Sequence, residues 1–368
     1  MAKLRCGGNL KKVLILLVIV SNVILVPSFI KKEPSEAEKA QLEEIVEQIY
    51  GNRCSAIISG DLELIEASYN KNTRYGMWAY EYEIRRMQYL QKWGEKQGVS
   101  FTRIDPVVIM RRIKGGGDSY SFNLMLSTQY QYVYKDRPEE VNTSTIGTYH
   151  ILSIHNQGGV WVITKEWYKD PFGDYLSLGD AKSDEIKSFI LAQNARNLLQ
   201  IGERRLKAVR YADTYCGAAS GGLNSYKYNP NYRDFNVDGG DCANFASQIL
   251  HEGGGFRKTG AWNYQKGNAT RAWVNADGFN NYMIGSGRAS LISYGSYEKV
   301  YKASYKLLPG DYVAYEEKND IVHISVVTGA DSRGYSLVSC HNTDRSHVPW
   351  DLGWGGKNIR FYLVRMHF

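Results

Sequence analysis

Cysteine is scarce in this 368-residue chain, and no CxxC or CxxH spacing occurs. Cys6, Cys54, Cys216, Cys242 and Cys340 are too few and too scattered for a disulfide-dense scaffold, and a structural zinc site has no ligand pattern to start from. No metal and no cofactor is expected. Internal repeats and low-complexity tracts are absent as well. With 43% apolar and 13% aromatic residues the chain can fill two cores, which excludes wholesale disorder.

A charge excess of one sign is also missing once the formal +7 is located. Lys3, Arg5, Lys11, Lys12, Lys31 and Lys32 all precede the first acidic residue, Glu33, so the remainder is almost neutral. Net charge gives no support for a nucleic-acid partner. Charge is absent altogether from Val13–Ile30, 18 residues near the lower limit for a membrane-crossing helix. Basic residues 1–12 precede it, and Glu33, Glu36 and Glu38 follow, which favours the N-terminus inside and the bulk outside. The segment reads as a single-pass signal-anchor, or as a signal peptide if it is cleaved. Cys6 lies before the apolar run, which argues against a lipoprotein cleavage site. An extracytoplasmic location permits disulfides, and a Cys216–Cys340 bridge stays open.

Beyond the anchor, Leu42, Ile45, Val46 and Ile49 repeat at helical spacing after Ser35 and an acidic first turn. A second helical stretch covers about 62–96, with an interruption near Gly76. Strand patterns follow at 100–112, 119–134, 144–155 and 159–168. Helices first and a curled antiparallel sheet afterwards make an α+β domain over residues 37–175, whose element order resembles the cone-shaped nuclear-transport-factor-like fold. No paired acid and base marks that cone as catalytic, so a binding, spacer or positioning role is expected. Residues 176–205 read as a connecting helix, and 206–368 as a second domain.

The chemistry concentrates in that second domain. In GGDCANFASQIL, two glycines allow a sharp entry, Asp241 suits a helix cap, and Phe245, Ala246, Ile249 and Leu250 form one apolar face. Cys242 then sits in the first turn, where the helix N-terminus favours a thiolate and its N–H can stabilise an oxyanion. A small buried cysteine without a role is the bland alternative. A thiol nucleophile needs a base, and IVHISVVT and YSLVSCHN read as adjacent strands. An antiparallel hairpin centred on Ser332 makes His323 and His341 direct cross-strand neighbours, their Cα atoms about 5 Å apart, and turns Asn342 to the other face. A slip of one residue would reverse that preference. Trp262, Trp273 and Trp350 lie in flanking loops and could line a substrate groove or fill the core. His150, His155, His251, His347 and His367 have no usable partner spacing, and Ser247 lacks the glycine frame of a nucleophile elbow.

The order DCANFASQ, LLPGDYVAY, HISVVTG and SCHNTD resembles the bacterial "putative amidase domain" family, and more distantly NlpC-like cell-wall peptidases of the papain-like fold group. The resemblance spans residues 206–368. It implies a papain-like helix on an antiparallel sheet, Cys242 as nucleophile, His323 as general base and then acid, and His341 as the residue that orients it. Asn342 and Asp344 compete for that third role. Ala243 and Asn244 depart from the Ser-Gly pair common after the cysteine in NlpC-type enzymes, which leaves the substrate open. Together with export, the resemblance implies an amide hydrolase acting on peptidoglycan or a peptide. A non-catalytic cell-wall binding module and an acyltransferase using the same cysteine are the rivals.

Overall fold

Residues 34–172, 182–198, 200–220, 226–356 and 358–368 are described by the computed structural model; the basic segment 1–12 and the apolar run 13–30 lie outside them. Among the described residues, no helix is long and apolar enough to cross a membrane. Helix α1 (Glu36–Ser59) begins at a capping box, in which Ser35 Oγ accepts from Glu38 N and Glu38 Oε2 accepts from Ser35 N. A short α2 (Leu62–Glu66) and the long α3 (Arg74–Gln97) follow. The interruption comes before Gly76, which lies in the first turn of α3: a Cβ there would meet Asn70 O at 2.1 Å, so the residue permits close packing.

Four antiparallel strands then form a meander: β1 (Val99–Gly116), β2 (Ser119–Tyr134), β3 (Arg137–Gln157) and β4 (Val160–Tyr168). Where α1 and α3 cross this sheet, Arg53 bridges Glu83 and Glu166, and His150 Nδ1 meets Glu166 Oε1 at 2.8 Å. His150 therefore does have an acidic partner, supplied across the β3–β4 hairpin. Its Nε2 meets Thr148 Oγ1 at 2.7 Å, so both ring nitrogens are engaged. Buried charges of this kind persist because each is paired and hydrogen-bonded.

The connecting region contains α4 (Asp184–Leu191), a non-helical stretch, and then α5 (Glu203–Tyr215) in place of one continuous helix. Helix α6 (Cys242–Gln248), a small hairpin of β5 (Tyr264–Gln265) and β6 (Asn268–Ala269), α7 (Arg271–Val274) and α8 (Ala276–Gly285) come next. They are followed by β7 (Ala289–Gly295), α9 (Tyr297–Ser304), β8 (Tyr312–Glu317), β9 (Asp320–Ala330), β10 (Ser336–Cys340), β11 (Asp344–Pro349) and β12 (Ile359–Met366). The strands run β1-β2-β3-β11-β10-β9-β8-β12-β7, with β4 paired to the far half of β3. Because β11 pairs with β3 at Thr145–Gly147, both halves of the chain share one antiparallel sheet.

The pleat sorts side chains into two cores. Phe361, Leu363, Val313, Tyr315, Val338 and Trp350 face one side. On the other, Val364, Met366, Tyr312, Ala314, Ile324 and Val326 pack under α6, whose Cys242, Phe245 and Ala246 join them. This division decides which functional side chains can meet.

Candidate active site

Gly239 and Gly240, both with positive φ, lead the chain into α6. At Gly240 (φ 144°) a Cβ would stand 2.2 Å from Asn342 Nδ2, so glycine is what lets the β10–β11 turn close on the helix entry. That turn carries Asn342 (φ 68°) and Thr343 (φ 67°), two consecutive left-handed residues of which the β-branched one is strained. Asn342 Oδ1 accepts from the Asp241 N–H at 2.6 Å.

Asp241 is no side-chain cap of α6. Its Oδ1 accepts from Phe235 N and Asn244 Nδ2, and its Oδ2 lies 2.6 Å from His341 Nδ1. His341 Nε2 is 2.8 Å from the Tyr215 carbonyl, and the ring is stacked between Phe245 and Tyr228 at 3.7 and 3.8 Å. With a carboxylate and a carbonyl as its two acceptors, His341 is held as an imidazolium. Burial works against that charge, but the hydrogen bond and charge of Asp241 outweigh it and raise the pKa above the ordinary imidazole value. Asp344 is bonded to Tyr228 Oη and Ala218 N, and burial pushes its carboxyl up to about 6.

His323 and His341 are therefore not cross-strand partners. The β9–β10 ladder runs Leu337↔Gly329 and then Val338↔Val327, leaving Thr328 unpaired. That bulge shifts the register by one residue and exchanges the faces of everything beyond it. Continued past Cys340, the register sets Asn342 opposite His323 and sends His341 to the α6 face. Asn342, the alternative third residue, accompanies His323; His341 does not.

Cys242 and His323 also lie on opposite faces of β9. The thiol packs in the α6 core, against the backbone N–H groups of Ile324 and Ala243. His323 pairs with Tyr315 and sits among Tyr315 and Trp354 on the reverse face, its Nε2 without a hydrogen-bond partner. Burial pushes the Cys242 thiol up to about 12. Burial, then the positive charges of Arg345 and Lys169, push His323 well below the ordinary imidazole value. In this arrangement the imidazole is neutral and the sulfur is a thiol, and the expected meeting of the two is not made. The reason is local: the ladder alternates without a break from Tyr312↔Val326 to Tyr315↔His323, which gives His323 the face opposite to Ile324, and a second bulge at Val322 comes only beyond it, before Glu316↔Ile321.

His323 opens onto a cleft of about 210 Å³, shared with Gly239, Asn342, Thr343 and Trp354 from the second half of the chain. Lys169, Asp170 and Pro171, from the loop after β4, close its other wall together with Arg345 and Glu317. No local pattern announces that the first half contributes here, because the two halves meet through the β3–β11 pairing. Trp262, Trp273 and Trp350 do not line the cleft. All three are fully buried; Trp262 Nε1 donates to Ser247 Oγ and Trp273 Nε1 to Asn244 Oδ1, which makes the first two braces of α6. Cys54, Cys216, Cys242 and Cys340 are free thiols, and Cys216 Sγ donates to the Arg345 carbonyl. Among the described residues no cluster of His, Cys, Asp and Glu could hold a metal ion.

Residues 202–364 match the family described as "Putative amidase domain". The "Uncharacterized protein YhbB" of Bacillus subtilis (strain 168) is 22% identical over 277 residues, spanning 73% of this chain and 80% of that relative. Among solved structures, the intermembrane space region of the chloroplast protein ARC6 is 12% identical with a TM-score of 0.25, covering 35% of this chain and 94% of that one. A hexachlorocyclohexane dehydrochlorinase (LinA) type 2 is 9% identical with a TM-score of 0.25, covering 36% and 91%.

Proposed function

We propose that the protein hydrolyses amide bonds through a thioester on Cys242, a reading supported by the match of residues 202–364 to the "Putative amidase domain" family. The observation that carries this reading is the placement of Cys242 in the first turn of a helix, with the N–H groups of Ala243 and Ile324 beside its sulfur. Those donors suit an oxyanion formed when the thiolate adds to a carbonyl. The C–N bond then breaks, the amine leaves with a proton from the acid–base histidine, and water releases the acyl group as a carboxylic acid.

His323, with Asn342 as its neighbour, is the acid–base group of this proposal, as in a papain-like Cys-His-Asn arrangement. Ile324, whose backbone N–H works against the effect of burial on the Cys242 thiol, is the next residue along β9. Moving the Val322 bulge past His323 turns the imidazole to the α6 face without breaking the rest of the ladder. A second reading makes His341 the base, favoured by its 2.6 Å bond to Asp241, which resembles the orienting half of a triad; it requires Nε2 to leave the Tyr215 carbonyl and give its proton to solvent before it can accept one from the thiol. His323→Gln and His341→Gln variants separate the two: the base variant loses the acidic limb of the rate–pH profile, the other loses stability alone.

The substrate we propose is peptidoglycan, at the bond joining sugar lactate to peptide or within the stem peptide, with the domain held outside the cell by residues 13–30. Digestion of purified cell wall by the full chain and by Cys242→Ala, followed by assay of new amino groups, tests this. Release by the parent alone is expected; equal release by both, or by neither, defeats it.

A further inference from the structure

The Arg345 guanidinium is only 2% exposed, yet it meets no carboxylate among the described residues. Its Nη1 donates to Leu352 O at 2.8 Å and its Nη2 to Pro171 O at 2.9 Å, while Nε has no partner. Removing an ion from water costs several kcal/mol unless a counter-charge compensates. The structure offers Arg345 a cleft in place of a counter-ion. His323, buried and with Nε2 unpartnered, lines the same cleft, and the exposed Lys169 stands at its rim. Two carboxylates also line it, and neither answers Arg345: Asp170 is set against Arg86 at 3.6 Å, and Glu317 lies beside Lys318. The cleft's 210 Å³ is about seven water volumes, room for a group the size of two small residues.

We infer that Arg345 and Lys169 form a binding site for a carboxylate of the substrate, so that the protein selects amides that carry a free carboxylate close to the bond cleaved. The inference rests on the hydrolase reading for the word substrate, and on the cleft alone for the binding site. A carboxylate entering beside His323 accepts from the free Nε–H of Arg345 and is attracted by Lys169, completing a charge pair that the described residues leave open. Lys169 and the Pro171 carbonyl come from the first half of the chain, so that half takes part in substrate choice by forming one wall of the cleft. Arg345 is a binding residue in this scheme and takes no part in bond breaking.

The test uses the full chain carrying Cys242→Ala, which removes turnover, and two probes: N-acetyl-dialanine with a free C-terminal carboxylate, and its carboxamide. Calorimetry measures affinity, and the ring signals of His323 report occupancy. The free acid should bind more tightly by roughly tenfold or more, the range of one charge-assisted hydrogen bond. Lys169→Gln, at an exposed position, should reduce that preference, and Arg345→Gln should abolish it. If Arg345→Gln fails to fold, Lys169→Gln and the acid–amide comparison still decide. Equal binding of acid and amide, or binding that leaves His323 unmoved, overturns the site. Inorganic phosphate binding more tightly than the acid overturns the choice of carboxylate. Carboxylate preference without any hydrolysis by the parent chain would remove the enzyme and keep this site, whereas hydrolysis that ignores the carboxylate would do the reverse.

Discussion

Alkylation of Cys242 by iodoacetamide at pH 8 should be far slower than that of an ordinary exposed thiol. With its pKa pushed up to about 12 by burial, the thiolate fraction at pH 8 is about 10⁻⁴, against about one quarter for a free thiol near 8.5. A more basic thiolate is intrinsically the better nucleophile; a Brønsted coefficient of about 0.45 recovers roughly 40-fold of that ~2,500-fold deficit. Labelling should therefore run about 60-fold below a free thiol before steric protection is counted. Cys54, Cys216 and Cys340 are buried as well, so peptide mapping by mass spectrometry is needed to follow Cys242 alone. Its rate should climb about tenfold per pH unit through pH 10. A plateau below pH 8.5 would mean that an imidazole already stands beside the sulfur in solution, and would refute the separation of Cys242 and His323 across β9.

Other consequences can be checked by denaturant unfolding. Gly240→Ala, at φ 144° and with Asn342 Nδ2 in the way, should destabilise the chain by about 1–3 kcal/mol. The His341 pKa is raised in the folded state, so its contribution to stability is complete below the ordinary imidazole value of about 6.5 and is lost as pH rises through the folded value. The parent should lose urea resistance from neutral to alkaline pH, and His341→Gln should be weaker but flatter; parallel profiles would contradict the imidazolium. Arg53→Gln leaves Glu83 and Glu166 buried beside each other without their shared cation, and should cost about 3–5 kcal/mol.

Local patterns in the sequence reached the elements but not their pairing. Strands expected at 119–134 and 159–168 stand at Ser119–Tyr134 and Val160–Tyr168, because alternation and turn residues are local properties. The capping sequence at Ser35 placed the start of α1 for the same reason. The β3–β11 pairing joins residues some 200 positions apart, and no local pattern announces it. Lys169 and Pro171 were therefore invisible as parts of the cleft.

The candidate site shows the same limit at finer scale. Cys242 was placed in the first turn of a helix from two glycines and an apolar face, and α6 begins there. The company kept by His323 depended on register, and one unpaired residue, Thr328, was enough to exchange His341 for Asn342. Asp241 had the residue type of a helix cap, yet the nearest demand for its carboxylate came from His341, a hundred positions away. Trp262 and Trp273 sit in loops that suggested a groove; their indole N–H groups instead found Ser247 and Asn244 on the inner side of α6. Arg345 gave no signal, because an arginine in a strand is ordinary until its missing counter-ion is seen.

An acyl group caught on sulfur is the most direct test of the proposed chemistry. Mixing the full chain with excess peptidoglycan fragments, quenching in acid within the first turnover and mapping peptides by mass should find the adduct on Cys242, labile to hydroxylamine as a thioester is. Turnover without such an adduct, or an adduct on any other residue, would contradict the account.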